Sequence, residues 1–130
     1  MVRYFTLAEA SALLPEARRR IEEVAALSGE LRELLMALQR GGDEPPGGIP
    51  EAKALEARVH EGLEWFEEQG VQVKGIAPAL LDFPARVSGE DVLLCWLQGE
   101  EEIGWYHRPE AGFLGRAPIA ELGLGPGEAT

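Results

Sequence analysis

The sequence predicts an α+β fold, a long antiparallel helical hairpin packed on a three- to four-stranded antiparallel β-meander, and three observations carry that expectation. Leu14, Ala17, Ile21, Val24, Ser28, Leu31, Leu35 and Leu38 recur at alternating spacings of three and four, a heptad seam of coiled-coil type. Ala52, Leu55, Val59, Leu63 and Phe66 make a second stripe of helical period. Three short hydrophobic runs then follow, Leu80 to Val87, Val92 to Gln98 and Ile103 to His107, each bounded by turn-forming residues.

Taken in order, Thr6 followed by Glu9 reads as a capping box, which starts a helix near Leu7. Pro15 is expected to kink that helix or to begin a new one, because proline removes one i to i−4 bond. Gly41-Gly42 ends it, and residues 41–50, GGDEPPGGIP, read as a mobile connector outside helix and central strand. The second helix is expected from about Glu51 to Gln69, capped by Gly70. At 1.5 Å per residue the first helix, counted from Pro15, runs to roughly 38 Å and the second to roughly 28 Å, so part of the first seam has no partner within the chain. That surplus is one reason to expect a homodimer or higher homo-oligomer.

Val71 to Lys74 is a fourth strand candidate, limited by Pro78. With loops at 88–91 and 99–102, Val87 faces Val92 and Gln98 faces Ile103. Counting outward then puts Phe83, Trp96 and Trp105 on one core face, with Ala85, Leu94 and His107 as their neighbours. The opposite face carries Asp82, Pro84, Arg86, Leu93, Cys95, Leu97 and Tyr106, too apolar in the middle strand to stand in water. Either the chain after His107 folds back over it or a second copy covers it. The closing loop is 108–122, and residues 123–130 read as a disordered tail.

The whole is one domain: 130 residues, 45% of them hydrophobic, suffice for a single core. The net charge of −11, from 12 basic against 23 acidic residues, argues against nucleic acid. In the run Arg18-Arg19-Arg20, glutamates at helical spacing neutralise each arginine. No apolar run approaches a membrane span, and one cysteine leaves no internal disulfide, so a cytoplasmic location is expected.

Candidate sites are few. Glu56, His60 and Glu64 stand four apart on the second helix, a spacing that can hold a divalent metal, although acidic helices produce it often as a solvated face. His107 is either a satisfied structural histidine or a ligand or general base beside the 108–117 loop, where Arg116 is placed to bind a small anion. Asp82 and Glu100 lie at one end of the meander as two neighbouring carboxylates. Cys95 is expected on the face opposite His107, which excludes it as a histidine-activated nucleophile and leaves it a buried thiol. The sequence leaves the cofactor unknown.

The ordered motifs DFPAR (82–86), LCW (94–96), GE (99–100), WYH (105–107) and GFLGR (112–116), with the opening FTLAEASALLP, resemble a bacterial family of uncharacterised proteins, domain of unknown function 2203. The resemblance spans nearly the whole chain and implies no activity, because the family has none assigned. The residues support an interaction or small-ligand-binding module without catalysis. The alternative is a small metal-dependent or acid–base enzyme with its pocket near His107 and Arg116.

Overall fold

Thr6 begins the first helix as expected: its hydroxyl accepts from the Glu9 amide at 3.0 Å while its own amide donates to the Glu9 carboxylate at 2.8 Å. The computed structural model describes residues 2–42 and 47–123. Helix α1 spans Leu7–Arg40 without a break. Pro15 lies inside it, so of the two expected outcomes the chain does not begin a new helix there. Pro15 and Ser11 are both exposed, so water can take the carbonyl that loses its donor, while Leu14, Ala17 and Ile21 hold the helix to the core on its other side.

Helix α2 spans Gly48–Gln69. It starts three residues earlier than expected, because Pro50 falls in its first turn, where the amide it lacks would have no intrahelical partner. Of the expected connector, residues 43–46 lie outside the described residues, as does the tail from 124. Gly70 ends α2 in the left-handed conformation and its amide donates to the Phe66 and Glu67 carbonyls. Where the two helices meet, a Cβ on Gly62 would stand 2.5 Å from Val24 Cγ2, so the absence of a side chain sets how closely they approach.

Five strands follow: β1 Gln72–Ile76, β2 Ala79–Val87, β3 Glu90–Leu97, β4 Trp105–His107 and β5 Ala117–Pro118. They form one antiparallel sheet in chain order, one strand more than the upper expectation. β5 was expected as loop; two residues, one a proline, carry no strand signal. Ile119 follows in a 3-10 turn and its amide donates to the Gly104 carbonyl, which fastens the end of the chain.

The register differs from expectation twice, with opposite consequences. The turn between β2 and β3 contains two residues, Ser88 and Gly89, both at positive φ (52° and 79°), the geometry favoured for a tight hairpin. Val87 therefore faces Glu90, and Phe83 faces Leu94. The shift is even, so Phe83, Ala85, Leu94 and Trp96 keep the core face. Between β3 and β4 the shift is odd: Cys95 faces Trp105, Leu94 faces Tyr106 and Leu93 faces His107. This corrects the expected face of every β4 residue, because the side-chain period is two. Tyr106 enters the core, Trp105 and His107 leave it, and the aromatic ladder of Phe83, Trp96 and Trp105 does not form.

The helices cover the core face, where Leu81, Phe83, Ala85 and Leu94 pack against Leu14, Ala17, Ile21 and Phe66. Phe5 meets Phe83 edge to face at 5.4 Å between ring centres. The buried positions of α1 end at Val24. Beyond it Leu31, Leu34 and Leu38 are half-buried, and Leu35 and Met36 are 44% and 51% exposed.

Candidate functional site

On the sheet face turned away from the helices, three neighbouring strands bring Asp82, Cys95 and His107 together. Asp82 and Cys95 are register partners on β2 and β3, while His107 on β4 faces Leu93 two residues before Cys95. One donor atom from each of the three lies within 4.8 Å of the other two, and all three residues are buried, at 1%, 0% and 4% exposure. Among the described residues, no other group of three or more metal-capable side chains converges in this way.

The hydrogen bonds assign the imidazole's roles. His107 Nδ1 stands 2.9 Å from the Arg108 carbonyl oxygen, which only accepts, so Nδ1 carries a hydrogen and donates it. His107 Nε2 stands 3.0 Å from Asp82 Oδ2, and a bond there needs one proton held between them. The other carboxylate oxygen, Asp82 Oδ1, is buried with no hydrogen-bond partner among the described residues. Burial, and secondarily the Asp82 charge, push the Cys95 thiol up to about 12. Cys95 and His107 share a face, contrary to expectation, but a thiol so strongly held protonated and fully buried is not an activated nucleophile.

Arg116 and Glu100 close the cluster from one side. Glu100 Oε2 accepts from Arg116 Nη2 at 2.8 Å, and Oε1 accepts from Nη1 at 3.3 Å and from the Leu97 amide at 2.7 Å. Arg116 lies between the rings of Trp105 and Phe113, 4.7 and 4.5 Å from their centres, with Nη1 4.0 Å from Cys95 Sγ. Burial works against the guanidinium's charge, yet the Glu100 bonds and the Cys95 contact hold its pKa above the ordinary arginine value. The closing segment therefore covers this part of the sheet from within the chain, the first of the two coverings expected. Arg116, the sequence's candidate for binding a small anion, is paired with Glu100 in the structure.

The stripe on α2 is arranged differently. His60 Nε2 meets Glu64 Oε1 at 2.9 Å, Glu56 stands 3.9 Å from Lys53, and the side chains of Glu56, His60 and Glu64 are 65%, 75% and 50% exposed. The basic run is occupied within the chain: Glu16 holds Arg19 at 2.6 Å and Arg20 at 3.0 Å, and Arg18 lies over Trp96. The sequence reading missed Cys95 as a partner of His107. The alternation that separates or joins them depends on one count, the parity of the loop between β3 and β4.

A two-helix hairpin across one face of a five-stranded meander, with a sealed carboxylate, imidazole and thiol on the other, defines an α+β domain with a buried polar centre. Residues 3–119 match the model of the family described as uncharacterized conserved protein (DUF2203), and the chain belongs to that family. No curated protein and no solved structure shows a significant match. None of the helices among the described residues is long and apolar enough to cross a membrane.

Proposed function

We propose that the protein is a binding module without catalysis, which assembles with a second copy of itself through the far half of the helical hairpin. The observation that carries this reading is the apolar stripe beyond Val24, where Leu31, Leu34 and Leu38 are half-buried and Leu35 and Met36 exposed, although α2 already packs along α1. Two hairpins laid together make a four-helix bundle, the common way to finish such a stripe. Weighing against the enzyme reading are the burial of Asp82, Cys95 and His107, the raised Cys95 pKa and the commitment of Arg116 to Glu100. A lone buried cysteine suits a reducing, cytoplasmic location.

Sedimentation velocity at micromolar concentration tests this. The parent chain is expected to run as a dimer or larger, and Leu35→Glu combined with Met36→Glu as a folded monomer. A monomeric parent, or a variant that keeps the parent mass, overturns the reading.

A second reading rests on a cavity of about 890 Å³ between the hairpin and β1, lined by Leu63, Phe66, Val71 and Val73 with Arg32 and Lys74. An apolar wall with two cations suits a small anion that has an apolar body. Loss of binding to a medium-chain fatty acid in Lys74→Ala supports that occupant; equal binding in the variant removes it.

A further inference from the structure

We propose that Asp82, Cys95 and His107 hold one divalent transition-metal ion of the zinc class, with one donor from each of the three strands β2, β3 and β4. The inference is independent of the self-association proposed above.

Four observations on the cluster converge. The donor set is one carboxylate oxygen, one thiol sulfur and one imidazole nitrogen, a mixture that suits zinc and excludes magnesium and calcium, which take oxygen ligands. The spacing is close to what an ion needs, with small side-chain adjustments: donors bound at 2.0–2.3 Å to a tetrahedral ion stand about 3.3–3.6 Å apart. Nε2 and Oδ2 at 3.0 Å would part by a few tenths of an ångström, and every donor atom already lies within 4.8 Å of the others. Thirdly, the Nδ1 bond to the Arg108 carbonyl is the outer contact that metal-bound histidines make, and it leaves Nε2 as the inward-facing nitrogen.

The fourth observation is the unpartnered Asp82 Oδ1. A carboxylate oxygen buried with no donor costs about 1–3 kcal/mol or more, and native cores rarely leave one so. An ion at the cluster, or a water filling its fourth position, supplies the missing partner. Three protein donors leave that fourth position of a tetrahedral ion to a water or small anion.

The protons balance without any redox change. His107 keeps the Nδ1 hydrogen on the Arg108 carbonyl. The proton shared by Nε2 and Asp82 leaves, and so does the Cys95 thiol proton, giving two protons released per ion bound. Asp82 and the Cys95 thiolate then carry two negative charges against the two positive charges of the ion. Burial and the neighbouring Asp82 charge keep the thiol protonated in the metal-free chain, and the ion's field is what removes the proton.

The experiment uses the full chain, stripped with a chelator and titrated with cobalt(II), then zinc(II), in weakly buffered solution containing a pH indicator. The expected result is one equivalent of cobalt with a thiolate-to-cobalt charge-transfer absorption and the intense visible bands of a tetrahedral site. Zinc should displace it with two protons released per ion. Cys95→Ser should lose the charge-transfer absorption, and His107→Ala should weaken zinc binding by more than about 100-fold. His60→Ala, on the exposed stripe of α2, should change neither. Since the buried variants risk misfolding, the absorption in the parent chain and its survival in His60→Ala decide the matter by themselves. Binding without the charge-transfer absorption, binding abolished by His60→Ala, or no retained ion overturns the proposal.

Discussion

Asp82 and Phe83 are neighbours on one strand, each about 1% exposed or less, and their environments have almost nothing in common. Phe83 lies on the helix-covered face, edge to face with Phe5 and in one apolar cluster with Leu81 and Leu94, contacts that need only apolar surface of roughly the right shape. Asp82 lies on the opposite face beside Cys95 and His107, and is held by a directed bond to one imidazole. The first face tolerates small displacements because burial is non-directional. The second does not, because a carboxylate without its partner is a buried charge.

That contrast can be broken from either side. The largest effect is expected at Phe83→Ala, where lost transfer energy and the cavity left behind should cost about 3–5 kcal/mol in urea denaturation at constant m-value. A loss under 1 kcal/mol would mean that the helix face is loosely packed. On the other face, Asp82→Ala should cost about 3 kcal/mol in metal-free protein, because it leaves the His107 ring nitrogen buried alone. Asp82→Leu with His107→Leu together should recover most of that loss, since both polar groups go at once. If the double variant is as unstable as the single one, packing and not pairing holds the second face.

The smallest effect lies outside both faces, on α1. Glu16 is held below the usual carboxylate range by its hydrogen bonds to Arg19 and Arg20. A folded-state pKa below the unfolded value means stability that is present above about pH 4.5 and lost as pH falls through the folded value. Glu16→Gln should therefore lower neutral-pH stability slightly and leave the stability below the folded value unchanged, which flattens the acid limb. An identical acid limb in parent and variant would show that these exposed pairs contribute nothing.

How much of this was legible in the sequence follows from which interactions repeat. The helices were readable because Leu14, Ala17, Ile21 and Val24 repeat one period, and the Thr6 and Glu9 cap is local chemistry that formed as expected. The face assignment of β2 against β3 survived a wrong loop length because the error was two residues, an even number. The β4 assignment did not survive an odd one. The loop before β4 is shaped by the Glu100 carboxylate on the Leu97 amide and by the Trp96 indole donating to the Glu100 carbonyl at 2.8 Å. Such long side chains reaching back to the main chain leave no signature in turn propensity, so the loop could not be counted from composition. The candidate site was legible as separate residues, Asp82 and His107 among them, and invisible as a constellation, because Cys95 joins them only after β4 is turned over.

The two ends of the sheet carry a consequence of a different kind. Most open sheets invite another strand, and each end here is made a poor template. β1 is bulged between Val73 and Gly75 and carries the exposed cation Lys74, while β5 is two residues long and ends in Pro118, which has no amide hydrogen to offer. Together with a net charge of −11, this equips the folded chain to stay dispersed at high concentration instead of growing edge to edge into fibrils. Neither end of the sheet thus offers a long, regular edge for strand pairing.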